Sequence, residues 1–398
     1  MALCGLLAAG CGAPGDGGSG GASSSASRPT TASAPSPVSG AWRSWAVSLS
    51  AGEARGACGA TAHQVVCATD SGGLVGRSRA DGRVSWSVAA HEHGKSAGLV
   101  VDTADERAVT GVAGVLRAAD LRTGATAWTH RLPSGDASTV LGAADGVVYA
   151  LDATDSSSSA AVLDAVRAVD GTPLWRRTVA WAPAEPLAAF GGRVYTADGT
   201  EVTARDARTG AIVATSPTGF RCDHLVTGGR YLVCTGSPSF AGDTFPPMRR
   251  LDPAMLRPLP TPRNTSDKPV RGLISDDGVL VLYEAGAEDT SAGNWNAYDL
   301  NNNRRLWSSD ATESDAAIAD DRFVTFTRVS DRTTRGRVIT LDLHAGPRAT
   351  GAAAPRMSQP YPQTKDAEHP LLVVPPDPTA HLLVLARTHP SLRTLQLP

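Results

Sequence analysis

A tryptophan four residues after a turn glycine recurs along this chain, and the pairing constrains the fold more than any other feature. The copies are Gly82 with Trp86, Gly124 with Trp128, Gly171 with Trp175, and Asn303 with Trp307, where Asn takes the glycine's place. A short strand-like run precedes each turn, and the fullest copy reads Ala118, Asp120, Thr123, Gly124, Trp128. Copies at Asp206 and Asp299 keep the frame, with Ala214 in place of Trp in the first and Asn302-Asn303 in place of Thr-Gly in the second. Self-similarity of this kind marks one supersecondary unit repeated around an axis or along a solenoid.

The period selects the unit. Trp45, Trp86, Trp128 and Trp175 stand about 41 to 47 residues apart, the length of four short strands with their turns, whereas ankyrin and tetratricopeptide periods are shorter and helical. The frame continues through Ala214, Pro260, Trp307 and Thr350, so eight outer-strand positions fit between Trp45 and Thr350. Residues 146–151 (GVVYAL), 231–234 (YLVC), 278–283 (GVLVLY) and 322–327 (RFVTFT) read as second strands bounded by Gly and Asp turns. No window of helical length carries a persistent 3.6-residue apolar stripe, which predicts an almost all-β chain.

Composition narrows the function classes. Of 37 basic residues only Lys95, Lys268 and Lys365 are lysines, and the arginines are scattered. With a net charge of −2, the electrostatic footprint of a nucleic-acid binder is absent. The apolar run Leu3 to Gly10 leads into Leu7-Ala8-Ala9-Gly10-Cys11, which resembles a bacterial lipobox. On that reading residues 1–10 are a signal-peptide remnant, Cys11 is the lipid anchor, and the Gly/Ser/Ala/Thr/Pro-rich residues 11–40 form a flexible tether ahead of a folded domain at 41–398. The run is shorter than the roughly 20 residues of a membrane-spanning helix. Cys58 with Cys67 and Cys222 with Cys234 each flank a first-hairpin turn, so disulfides are expected in an oxidising compartment. No Cys/His spacing suits zinc.

The Ala118 to Trp128 run resembles the tryptophan-docking motif of the quinoprotein propeller superfamily, whose repeats are called PQQ-like. The resemblance covers residues 41–398. It implies an eight-bladed β-propeller of four-stranded antiparallel blades, seven being the alternative count, in which Trp45, Trp86, Trp128, Trp175 and Trp307 dock neighbouring blades. Closure of the last blade by the N-terminal strand Trp45 to Leu49 is expected, because the run Pro370 to Leu397 supplies only three strands. The superfamily contains dehydrogenases that bind pyrroloquinoline quinone and calcium and also catalytically inert envelope lipoproteins, and extracellular sensor domains can be propellers too. This chain has neither adjacent cysteines nor a haem-attachment motif, so a cofactor-free, metal-free and non-enzymatic chain is expected. The alternatives are a quinoprotein-like oxidoreductase and a ligand sensor for a signalling partner.

Other motifs fail on context. Gly94-Lys95-Ser96-Ala97-Gly98 fits the G-x-S-x-G pattern but is followed by a strand-like run rather than the helix an esterase elbow needs. His91-Glu92-His93 reads as a solvated turn, Asn264-Thr265-Ser266 as a loop, and Trp295 as a core residue on the face shared with Leu116 and Val338. The connection between second and third strands is enlarged at residues 154–161, 237–247, 285–294 and 330–335. Such connections emerge on one face of a propeller and build a rim for Phe240, Phe245, Glu288, Asp289, Arg332 and Arg335. The expected partner is an envelope protein or cell-surface ligand, bound by a monomer that touches the membrane through its anchor alone.

Overall fold

The structure is a computed structural model that describes residues 44–396 apart from residues 55, 91–95, 134–138, 154–159, 181–186, 237–247, 264–268, 286–291, 313–314, 328–334, 363–371, 374–382 and 389–390. The described residues form eight four-stranded antiparallel sheets and one two-stranded ladder, with a single 3-10 turn at Gly351–Ala353 and no α-helix. In seven sheets the strands follow chain order from the inside outward, so each is one repeat. Blade 1 is built of Cys58–Ala60, Gln64–Ala68, Leu74–Ser78 and Val84–Val88, blade 2 of Ser96–Asp102, Arg107–Val112, Val115–Asp120 and Thr126–Arg131, and blade 3 of Thr139–Ala144, Val147–Ala153, Ala160–Arg167 and Pro173–Ala180. Blades 4 to 7 begin at Leu187, His224, Pro269 and Ala316. The first strands of neighbouring blades touch around the whole circuit, which is the ring of a propeller.

The eighth blade joins the two ends of the described chain. Leu372–Val373, Leu383–Thr388 and Ser391–Gln396 supply three strands, and Ala46–Ser48 adds the outermost, pairing Ala46 with Arg393 and Ser48 with Ser391. Trp45 strengthens the seam, its backbone N–H reaching Thr394 Oγ1 at 3.0 Å while the Thr394 N–H donates to the Trp45 carbonyl. A ring closed in this way leaves no inner edge strand to template aggregation.

Alternation along each second strand explains where the core sits. Val148 and Ala150 face blade 2 while Tyr149 and Leu151 face blade 4, because successive side chains leave opposite sides of a sheet. Every one of the eight buried apolar clusters accordingly joins two adjacent blades. The core is therefore a circle of blade interfaces, each of which needs both neighbours.

The repeated motif is the device that sets each interface. Asp120 Oδ1 accepts the backbone N–H of Arg122 and Thr123 and the Thr123 hydroxyl, which folds the third-to-fourth-strand turn. The Thr123 hydroxyl bond and its companions hold the Asp120 carboxyl below the usual aspartate range despite the opposing effect of burial. Gly124 then takes φ +73°, and the indole of Trp86 from the preceding blade lies against it. The same stacking joins Trp128 to Gly171, Trp175 to Gly210, Trp307 to Gly346, and Trp45 to Gly82. Each indole N–H also crosses the interface: Trp86 donates to the Leu121 carbonyl at 2.7 Å, Trp128 to Ala168 at 2.8 Å, Trp175 to Ala207 at 2.8 Å, and Trp307 to Leu343 at 2.8 Å.

The weak copies have local explanations. Where Ala214 replaces Trp, the turn residue of the next blade is Leu256, buried despite φ +53°, and it belongs to the cluster against which Ala214 packs. The frame position Thr350 is not in an outer strand. The turn Gly351–Ala353 intervenes, and the fourth strand of blade 7 is Arg356–Met357, with Arg356 paired to Thr340. A fixed count from the glycine thus fails where the turn is lengthened.

Candidate functional site

Antiparallel pairing brings the second-to-third-strand connections and the blade-to-blade connections to one face of the ring. The enlarged connections all start and finish there, between the second and third strands of blades 3, 5, 6 and 7. Of the rim residues, Phe240, Phe245, Glu288, Asp289 and Arg332 lie outside the described residues, as do Cys11 and the His91-Glu92-His93 segment. Arg335 is exposed and sits in a two-residue ladder, Arg335–Gly336 against Tyr361–Pro362.

Beneath this face lie polar groups that strand patterning alone does not reveal. Glu284, at the end of the second strand of blade 6, is buried and accepts hydrogen bonds from the Tyr298 hydroxyl and from Asn296 Nδ2 at 2.9 Å. Asp152 occupies the equivalent place in blade 3 and is also buried. On the same face of blade 3, Asp164 meets His130 Nε2 of blade 2 at 3.3 Å and the Arg176 guanidinium at 2.5 Å. Burial alone would raise the Asp164 pKa, but the hydrogen bonds and charges of His130 and Arg176 outweigh it and hold the carboxyl below the usual aspartate range. These carboxylates are locked into structural contacts within and between blades. Trp295 is buried between Tyr283 and Phe323, with ring centroids 5.2 and 5.0 Å away, so it contributes to the core of blades 6 and 7 rather than to an exposed platform.

Two clefts open between blades 1 and 2. One, of about 270 Å³, lies on the face of the enlarged connections, between the turn at Ser71 and Gly72 and a blade 2 surface that presents Thr110, Arg117, Thr129 and Arg131. The other, about 390 Å³, lies on the opposite face beside His63, Gln64, Glu106 and Leu121, where Gln64 and Leu121 also hold the Trp86 indole N–H. Neither was legible before the blade register was known. The only sequence signal is the period-two placement of Arg117 after Val115.

Cys58–Cys67 and Cys222–Cys234 are disulfides. The first joins directly paired residues of the first hairpin of blade 1, and the second ties the lead-in of blade 5 to its second strand. No three His, Cys, Asp or Glu side chains converge as metal ligands among the described residues. Ser96 of the G-x-S-x-G sequence begins the first strand of blade 2, a strand where an esterase elbow has a helix. No helix among the described residues is long and apolar enough to cross a membrane.

Residues 33–163 match the family model described as outer membrane protein assembly factor BamB. No match is found among curated protein sequences. Among solved structures, BamB from Moraxella catarrhalis aligns with a TM-score of 0.58 at 16% identity, over 88% of this chain and 98% of that one. The computationally designed Ika8 protein aligns with a TM-score of 0.62 at 12% identity, again over 88% and 98%. A quinohemoprotein alcohol dehydrogenase from Pseudomonas putida HK5 aligns at 0.55 and 13% identity, over 89% of this chain and 75% of the enzyme. At these identities the structural likeness establishes the propeller fold and no more.

Proposed function

Since the chain carries PQQ-like repeats similar to those of the BamB assembly factor, we propose that it is an exported, lipid-anchored, non-enzymatic scaffold that binds an envelope protein through the face bearing its enlarged connections. The observation that carries this reading is the position of those connections. Four insertions fall at the same step of four different repeats and so converge on one face of a rigid ring. Export is supported by the lipobox-like sequence ending at Cys11 and by two disulfides, which persist in oxidising compartments. The Gly/Ser/Ala/Thr/Pro-rich composition of residues 11–40 supports a tether between anchor and ring.

The fold also occurs in a quinone-dependent dehydrogenase, so the fit of that chemistry matters. A quinone site with calcium needs converging oxygen ligands. The buried carboxylates Asp164 and Glu284 instead point into blade interfaces, where Arg176, His130, Tyr298 and Asn296 engage them. These two carboxylates are thus spent on protein contacts, and no three acidic, His or Cys side chains among the described residues converge to hold calcium.

Replacing residues 237–247 by a short Asn-Gly turn tests the reading, because surface loops contribute little closure energy and the ring should keep its melting temperature. Pull-down from envelope extract with wild-type and loop-replaced protein should lose the partner only in the second. Equal recovery would remove this connection from the binding surface. Changing Cys11→Ser should abolish radiolabelled palmitate incorporation and release the chain from membranes; unchanged membrane association would refute the anchor.

A further inference from the structure

Blades 1 and 4 place an arginine at the same step of the repeat and treat it differently. Arg77 and Arg205 each stand five residues before the glycine that receives a tryptophan from the preceding blade, Gly82 under Trp45 and Gly210 under Trp175. Each donates Nη1 to the carbonyl of that glycine at 3.2 Å. In blade 1 the other edge of the guanidinium is filled. Arg77 Nε and Nη2 donate to Glu53 Oε1 at 3.0 and 2.8 Å, and both residues are buried. The second carboxylate oxygen, Oε2, accepts the Ser50 N–H at 3.0 Å and the Ser50 hydroxyl at 2.9 Å, so a Ser-x-x-Glu turn presents the acid.

Blade 4 keeps the arginine without the acid. Arg205 Nε is buried with no hydrogen-bond partner, and Nη2, which retains solvent access, meets no acceptor among the described residues. Arg205 lies on the blade 3 side of its strand, since it pairs with Val194 of the core between blades 3 and 4 while Ala204 faces blade 5. Arg177 comes from blade 3, two residues after Trp175, where blade 8 has Val47 after Trp45. It is exposed and sends Nη2 to the Thr209 carbonyl at 3.0 Å, next to the Gly210 carbonyl that Arg205 holds. Burial, and then the like charge of Arg177, lower the Arg205 pKa from the usual guanidinium value, and no acid opposes them. The acids of the surrounding turns serve those turns: Asp206 Oδ1 accepts from Arg208 and Thr209, Asp145 Oδ2 from the Gly192 N–H, and Asp170 pairs with Arg167. The turns of blades 3 and 4 that frame this place, residues 145–146, 167–172, 191–192 and 206–211, all belong to the described residues.

We propose that Arg205 and Arg177 form a receptor for a glutamate side chain of a protein partner, on the face opposite the enlarged connections, and that blade 1 shows the filled form of the same site. The carboxylate meets Nη2 of Arg205 and the open N–H groups of Arg177 in charge-assisted hydrogen bonds. Two neighbouring cations repel each other, and an anion between them turns that energy favourable. Glu53 fixes the chemistry as a carboxylate on a side chain, because it is what the repeat itself sets against the equivalent arginine. The inference goes beyond the scaffold reading, since it uses none of the enlarged connections.

The test observes the arginines directly. Protein carrying isotope-labelled arginine gives side-chain Nε–H resonances by NMR, assigned with Arg205→Lys, Arg177→Gln and Arg77→Lys. It is titrated to millimolar concentrations with a capped peptide of residues 49–54 (LSAGEA), the same peptide with Glu53→Gln, and inorganic phosphate. The glutamate peptide should move the Arg205 and Arg177 resonances saturably and leave Arg77 unmoved, and the glutamine peptide should move none of them. Arg205→Lys keeps the charge but loses the fork, and should weaken binding about tenfold. Should that variant melt early, Arg177→Gln, at an exposed site, should still weaken binding severalfold. Absence of a saturable shift, equal shifts from the glutamine peptide, wild-type binding by Arg177→Gln, or tighter binding of phosphate than of the glutamate peptide would overturn the assignment.

Discussion

The contact between Trp128 and Gly171 admits a quantitative test, because both halves of one blade interface can be changed separately. In Gly171→Ala the new Cβ would stand 2.6 Å from Trp128 Cδ2 and 2.8 Å from Cγ and Cε3, at a residue with φ +71°. The left-handed backbone alone costs an alanine about 1 to 2 kcal/mol, and the forced shift of a buried indole adds roughly 1 to 3 kcal/mol. Trp128→Ala removes a side chain that is only 8% exposed, together with its 2.8 Å hydrogen bond to the Ala168 carbonyl, and should cost about 3 to 5 kcal/mol. With the indole gone, the Gly171→Ala clash disappears and only the backbone penalty remains. The double variant should therefore be more stable than the sum of the single effects predicts, by about 1 to 3 kcal/mol. Equilibrium urea unfolding monitored by circular dichroism, under conditions where refolding is complete, measures all four corners of the cycle. Strict additivity would show that Trp128 does not lie on Gly171. A folded Trp128→Ala protein of wild-type stability that had lost only partner binding would make this tryptophan a ligand contact instead.

Removing residues 42–50 takes away the outer strand of the closing blade, so the whole ring should melt at lower temperature in a calorimetric scan; an unchanged transition would refute closure by the two ends. Reducing the disulfides, or changing Cys58 and Cys67 together to Ala, should cost about 2 to 3 kcal/mol per bridge in denaturant unfolding, and a null effect would show that the bridges do not constrain the unfolded chain. Asp164 has a folded-state pKa below its unfolded value, so its contribution is complete above the unfolded aspartate value of about 3.9 and is lost as pH falls through the lower folded value. Asp164→Asn should destabilise the ring at neutral pH and flatten this part of the acid limb of a stability profile; a profile parallel to wild type would exclude Asp164 as its source.

The docking motif was readable in one dimension because a single chemical unit does one local job. Aspartate folds the turn, glycine supplies the positive φ, and tryptophan follows at fixed spacing, so residues 118–128 announce the repeat before any contact is known. The Cys58–Cys67 bridge was legible for the same reason, since a hairpin places its two strands opposite each other. The frame failed at Thr350, where a lengthened turn breaks a count that assumes constant spacing. The loss of Trp at Ala214 was legible, but the buried Leu256 at the turn of the next blade was not, because the two residues belong to one cluster only when blades 4 and 5 come together.

The amino-acid order alone determined the strand alphabet, the repeat and its turn chemistry, because these depend on residues within a few positions of one another. Closure of the ring, the pairing of His130 with Asp164, and the cleft carrying Arg117 and Arg131 were decided only by the tertiary structure. Each depends on which face of a strand meets which neighbouring blade, and a one-residue change of register would exchange those faces.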